Sequence, residues 1–354
     1  MYCRECDAYL GEGRSPMKDC FCSACGPKQE IKNLSYFISL NLHSQITNLL
    51  TTKNIDESLK YRFTRIKKVQ GAIEDIYDGA EYKKLSSAGM FLSNPYNFSL
   101  TFNTDGCKIS NSSKSSAWPI YVQINELSPH LRKKHVLLAG IFVDKKEPLM
   151  NDYLRTFTDQ IKVLYEEGIV WKPTPTMEVT SKFVTILGSV DTPARSAVLR
   201  MKRFNGFYGC TFCYAFGKSI GRKHVYPVGN SSEQLRTDDE MRADMMKSFA
   251  DKNEIKGIKG PSALMLLPLF NLSKGMIVDS MHCCFLSVIK WHTKLLLKKD
   301  YKDVIINIKK KKVVVDYYIG RPGQKEEIDS LFLAIKPHNI RSRLPRSINT
   351  LATW

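Results

Sequence analysis

The rhythm of apolar and polar positions changes along this chain, and each change predicts a different element. Between Ser39 and Thr51, Leu40, Leu42, Ile46, Leu49 and Leu50 recur at helical spacing, which predicts a short amphipathic helix. Residues 52–90 are mixed, with basic clusters at Lys60–Arg65 and Lys67-Lys68, and read as helical, solvent-exposed segments. From about residue 97 the period falls to two. Phe98-Ser99-Leu100-Thr101-Phe102 alternates and ends at Asn103-Thr104-Asp105-Gly106, a turn signal. Trp118 to Ile124 and Val136 to Val143 predict a second and a third strand, so the three form an antiparallel meander. Leu154, Phe157, Ile161 and Leu164 predict a helix over Leu149 to Glu167. Val179 to Val190 is β-branched and predicts a fourth strand. Thr192-Pro193-Ala194 then opens a helix running to about Met201, with proline in its first turn.

Residues 203–275 interrupt this alternation. They hold Cys210-Thr211-Phe212-Cys213, a charged stretch from Glu233 to Lys256 and several glycines, which together mark an insertion. Ile277 to Lys298 predicts a long apolar helix, and the basic run Lys309–Lys312 lies between apolar strings at Val304–Ile308 and Val313–Val315. A three-strand meander, a helix, a further strand and another helix is the element order of an RNase H-like α/β fold. The expected organisation is a cysteine-rich segment over 1–27, a helical, basic linker domain over 28–95 and the first part of the core over 96–202. An inserted zinc-containing helical region over 203–300 and the end of that insertion over 301–354 follow.

Composition then narrows the partner. A chain of 354 residues with 43% hydrophobic content supports a sizeable core in two or three domains. A net charge of +18 argues for a polyanion, most simply nucleic acid. No apolar run reaches the ~20 residues of a membrane helix, and Met1-Tyr2-Cys3-Arg4-Glu5-Cys6 has no apolar signal core. No membrane partner is therefore expected, and a reducing compartment is. There the ten cysteines read as metal ligands or buried thiols rather than disulfides. Cys3-x-x-Cys6 and Cys22-x-x-Cys25, separated by 15 residues, have the spacing of a four-cysteine zinc knuckle or ribbon, with Cys20 as an alternative to Cys22. So little apolar material surrounds them that bound zinc would supply the folding energy. Cys107 and Cys284 read as buried thiols, and Trp118, Trp171, Trp291 and Trp354 as packing residues.

Two carboxylates fall at strand ends. Asp105 follows the first strand of the meander and Asp191 the fourth. Alone, Asp105-Gly106 is most simply a turn and Asp191-Thr192-Pro193 a helix N-cap. Their joint placement suggests chemistry, because those strands are neighbours in an RNase H-like sheet. Hard divalent ions take oxygen ligands. Two of them held ~3.5–4 Å apart activate a water or 3′-hydroxyl and stabilise the leaving oxygen in phosphoryl transfer. Arg132-Lys133-Lys134, Lys202-Arg203, Arg222-Lys223 and Lys309–Lys312 are candidate phosphate contacts.

Three strings carry a family likeness: FNTDGCKISNSSKSSAWPIYVQINELSPHLRKKHVLLAGIF, SVDTPARSAVLRMKRFNGFYGCTFCY and GMIVDSMHCCFLSVIKWHTKLLL. They resemble animal transposases of the CACTA/Chapaev type, DDE/D cut-and-paste enzymes with an RNase H-like core. The likeness runs from about residue 35 to Trp354. It implies Asp105 as the first catalytic acid and Asp191 as the second, holding Mg²⁺ or Mn²⁺. It also implies DNA as the partner (element ends and target), a homodimer or higher oligomer in the active assembly, and a nuclear location. The related V(D)J recombinase catalytic subunit has a CxxC in a zinc site soon after its second aspartate, and here Cys210 lies 19 positions after Asp191. By that likeness Cys210 and Cys213 are zinc ligands, His282 is the third, and His292, Cys283 or His224 the fourth. Structural zinc is then expected at two places per chain. Asp279 falls beside the structural histidine. The third acid, a glutamate, is expected just beyond a segment like Pro345-Arg346-Ser347 to Trp354, while Glu326 and Glu327 read as solvated surface. A chain ending at Trp354 is thus expected to bind DNA with impaired catalysis. The other reading is a non-catalytic DNA- or chromatin-binding protein that keeps the scaffold.

Overall fold

A computed structural model describes residues 2–3, 10, 20–28, 34–109, 115–221, 223–226, 233–292, 304–308 and 311–315. The chain divides into two units, Met1–Val278 and Asp279–Trp354. Cys6, Arg222, Glu326, Glu327 and the segment from Pro345 to Trp354 lie outside the described residues.

The first unit is mixed α/β around one central sheet. Its main strands are β1 (Leu34–Ser39), β2 (Phe98–Thr104), β3 (Ser116–Ile124), β4 (Leu137–Asp144), β5 (Phe183–Val190) and β6 (Met276–Val278). They lie in the order β1-β4-β3-β2-β5-β6, with Tyr2–Cys3 outside β1 and Cys107–Lys108 paired to β3. Pairing is antiparallel from β1 through β4 and β3 to β2. It is parallel from β2 to β5 and from β5 to β6. The sheet is therefore a meander extended on one side by two parallel strands.

Helices cover both faces, which explains why β2 and β5 are buried along most of their length. Helix α1 (Leu42–Leu50) starts at Asn41, whose side chain accepts the Ser44 amide at 2.9 Å, and buries Leu42, Ile46, Leu49 and Leu50. Helix α2 (Met150–Glu166) buries Tyr153, Leu154, Phe157, Ile161 and Leu164, and its Phe157 ring lies 5.3 Å from that of Phe102 in β2. Burying side chains of this size contributes roughly 1.5–3 kcal/mol each. Helix α3 (Thr192–Val198) follows β5, and α4 (Asp238–Asp251) begins with a Thr237/Glu240 capping box.

Several sequence expectations shift. The strand expected over Val179 to Val190 is two strands. Met177–Ser181 forms a hairpin with Ile169–Thr174, and only Phe183–Val190 enters the central sheet. The hairpin is closed by the Trp171 indole N–H, which donates to Ser181 Oγ at 2.8 Å. Helix α3 ends at Val198 rather than Met201, because Arg200 takes a left-handed backbone with φ 56. The segment over 52–90 is not merely solvated. Its Tyr77, Tyr82 and Leu85, with Leu92 just beyond it, form a second core with Val184 and Ile186 of β5. The helix expected from Ile277 begins as a strand, since Met276 pairs with Gly188 and Val278 with Val190.

The second unit holds a π-helix over Met281–Ile289 and a hairpin of Val304–Ile308 with Lys311–Val315. No helix among the described residues is long and apolar enough to cross a membrane.

Candidate functional site

Strands β2 and β5 run parallel side by side, with Asn103 opposite Ser189. Asp105 lies two residues past Asn103, and Asp191 two past Ser189. Both acids thus follow the C-terminal ends of adjacent strands and share one edge of the sheet. The Asn103 side-chain amide donates to the Ser189 carbonyl and ties the two ends together. Asp191 caps α3, its Oδ1 accepting the Ala194 amide at 2.7 Å. Asp105 Oδ1 accepts the Gly106 amide at 2.7 Å. Both are half-buried. Glycine is needed at 106, because a Cβ there would lie 2.6 Å from the Trp118 ring. Thr104 is fully buried and hydrogen-bonds Tyr153, whose hydroxyl donates to the Trp118 carbonyl at 3.2 Å, so α2 braces the end of β2. Two carboxylates on one sheet edge are a hard oxygen donor set, suited to a divalent cation such as Mg²⁺ or Mn²⁺.

The loop after α3 carries the CxxC. The Phe212 amide lies 3.4 Å from Cys210 Sγ, and burial pushes the Cys213 thiol up. Arg195 of α3, only 6% exposed, sits over the Phe212 ring at 4.4 Å and links the helix to this loop. Arg236 organises the loop from behind. It is buried, and its Nε donates to the carbonyls of Cys210 (3.1 Å) and Cys213 (3.0 Å). Its Nη2 donates to the carbonyls of Tyr208 (3.3 Å) and Lys256 (2.8 Å). Sequence reasoning missed Arg236, since one arginine ahead of a capping box carries no distinguishing signal.

Cys3, Cys22 and Cys25 come together, their Sγ atoms all within 4.8 Å of one another, with Cys3 and Cys22 buried. Cys3 arrives on the short outer strand. Cys22 and Cys25 arrive on the hairpin of Cys20–Cys22 with Gly26–Lys28, where Gly26 takes φ 79. Three convergent thiols fit a soft, tetrahedral ion such as zinc. Among the described residues this is the one group that gathers three such ligand atoms at that range. Cys210 and Cys213 are not part of this group.

His282 belongs to the second unit, where its Nδ1 lies 2.6 Å from Asp279 Oδ2. Burial pushes the Asp279 carboxyl up. The His282 bond and the Met281 and His282 amides outweigh that and hold it below the usual range. Three smaller expectations fail: Cys107, Cys284 and Trp291 are exposed. Cys107 lies on a two-residue strand at the sheet's rim, and the π-helix turns Cys284 outward.

At the opposite end of β2 lies a buried carboxyl that no motif announced. Glu126 is fully buried and accepts the Ser99 amide, the Ser99 hydroxyl and the Tyr82 hydroxyl, each at 2.9 Å. The Arg62 guanidinium stands 3.9 Å away. Burial pushes its pKa above the usual carboxyl range despite these partners. Glu126 therefore fastens the segment over 52–90 to the sheet, at the end remote from Asp105.

No protein-family model matches the chain, and no curated protein matches it.

Proposed function

We propose that the chain is a transposase-derived DNA-binding protein whose core is of the DDE/D nuclease and strand-transferase type. The observation that carries this reading is the placement of Asp105 and Asp191 just past the C-terminal ends of neighbouring parallel strands, as the β2–β5 register sets it. The sheet order adds support. A meander of β2, β3 and β4 with β5 and β6 parallel beside β2 is the strand order of an RNase H-like core. In this reading Asp105 and Asp191 hold Mg²⁺ or Mn²⁺, which when bound activates a water or 3′-hydroxyl and stabilises the leaving oxygen. Asn103 keeps the two strand ends in register, and Asp191 is oriented by its cap on α3. The thiols of Cys3, Cys22 and Cys25 are read as a structural zinc site, joined by Cys6 through the spacing. Cys210 and Cys213 are read as half of a second. The net charge of +18 supplies the attraction to DNA.

Plasmid nicking in Mg²⁺ or Mn²⁺ tests the reading, with duplex affinity measured alongside. Even slow nicking suffices as a readout. Wild-type protein, Asp105→Ala and Asp191→Ala are expected to bind duplex DNA alike. Both alanine variants are expected to lose at least roughly 100-fold in nicking, since losing even an outer partner of a metal ligand costs about 10–100-fold. Nicking unchanged in both variants overturns the assignment of the aspartates. Tight DNA binding with no nicking by any of the three favours the non-catalytic scaffold. No DNA binding at all removes both.

A further inference from the structure

The stretch after Asp191 has an unusual composition. From Thr192 to Ser232 there is no Asp or Glu, while seven Lys or Arg and seven Phe or Tyr are interleaved. The chain elsewhere places all its 35 acids outside this window. A solvated charged face accounts for most of the lysines and arginines, the buried Arg195 apart, and packing accounts for some of the rings. It does not account for where three of the phenylalanines sit. Phe204, Phe207 and Phe216 are 55%, 39% and 53% exposed. Clustered exposed aromatics mark a binding surface rather than a core.

The rings are held rigidly. Phe207 and Phe216 stack with centroids 4.5 Å apart and an interplanar angle of 17°. His224 meets Phe207 edge-on at 4.7 Å, and Tyr208 meets Phe216 edge-on at 5.0 Å. The turn beneath is fastened by Tyr226, whose hydroxyl donates to the Gly206 carbonyl at 2.5 Å and accepts the Gly209 amide at 2.8 Å. Gly209 admits no side chain, because a Cβ would lie 2.2 Å from the Arg203 carbonyl oxygen. Cations flank the rings in the sequence. Lys218 and Arg200 are exposed. Lys202 and Arg203 make partly exposed pairs with Glu254 (2.9 Å) and Glu147 (3.5 Å), which a phosphate can replace at little cost.

We infer that Phe207 and Phe216 form a stacking platform for unpaired nucleotides, with the neighbouring lysines and arginines taking the phosphates. The inference rests on the DNA-binding reading and adds the ligand of this surface. Unpaired bases offer free π-faces, whereas bases in a duplex already stack on each other. Aromatic rings beside a basic track are the general means of holding single strands.

Fluorescence anisotropy on the full chain tests it, comparing a blunt duplex with the same duplex carrying an unpaired thymidine extension. The variants are Phe207→Leu, Phe216→Leu and their combination, which keep apolar volume but remove the ring faces. Wild-type protein is expected to bind the extended duplex about tenfold tighter, as one stacked base would give. The double variant is expected to lose that preference and to keep its affinity for the blunt duplex. A 2-aminopurine placed in the extension is expected to be quenched by wild type and not by the double variant. If circular dichroism shows the double variant unfolded, the single variants Phe207→Leu and Phe216→Leu and the wild-type 2-aminopurine signal decide. Blunt-duplex binding with no preference for the extension overturns the platform and leaves DNA binding standing. No binding of either DNA overturns both. Competition by polyglutamate as strong as by oligothymidylate points to an acidic protein instead and also overturns it.

Discussion

Glu126 and Asp78 are buried carboxyls whose pKa values are displaced in opposite directions, and the pH dependence of stability follows from the difference. Burial raises the pKa of Glu126, so its contribution is full at low pH and is lost as pH rises from the ordinary carboxyl range through the raised value. Glu126→Gln is expected to flatten that decline in urea midpoints measured from about pH 4 to pH 8. Glu126→Ala instead leaves Arg62, whose side chain is 3% exposed, without its charge partner, and is expected to cost about 3–5 kcal/mol. Asp78 is pulled far below the usual range, first by the Arg65 hydrogen bond, then by the Glu74 amide, and also by Lys67 and the Asp75 amide. Its contribution is present above the ordinary carboxyl pKa and fades as pH falls. Asp78→Asn is expected to flatten the acid limb of the same curve. Neither residue was legible in the sequence. Glu126 sits in Asn125-Glu126-Leu127-Ser128, where nothing local shows that a hydroxyl from Tyr82 will arrive. Asp105 and Asp191 were legible because each closes an apolar run.

Among elements, legibility followed periodicity. The meander and α2 were readable because their alternation and helical spacing are unbroken. Strand β1 was not, since it buries Ser35 and exposes Ile38, the inverse of the usual pattern. The parallel core of β2, β5 and β6 is packed tightly enough to give a sharp prediction. A Cβ at Gly188 would lie 2.5 Å from the Phe102 ring and 2.8 Å from Met276 Sδ. Gly188→Val is expected to cost about 1–3 kcal/mol and lower Tm by several degrees, measured by differential scanning calorimetry. The cysteine hairpin gives another. Cys22→Ser is expected to carry less zinc per chain than wild type by metal analysis, and its hairpin is expected to be cut faster by protease. Equal zinc content in the two proteins would remove the metal assignment.

At the scale of the whole molecule, charge was the most legible property and connectivity the least. An excess of +18 spread over the chain predicts that duplex affinity falls steeply with salt, on the order of 10³-fold or more between roughly 50 and 200 mM. A flat dependence would show that the excess charge is not used on phosphates. The placement of Asp105 and Asp191 after neighbouring strand ends required a strand order, because they are 86 positions apart and no local pattern says that β2 and β5 are neighbours. That register is what the proposed two-aspartate donor set rests on. The most direct measurement is Mn²⁺ binding followed by electron paramagnetic resonance on wild-type protein, Asp105→Asn and Asp191→Asn. Each variant is expected to bind Mn²⁺ at least about tenfold more weakly, with an unchanged circular dichroism spectrum. Mn²⁺ binding equal to wild type in both variants would contradict the site.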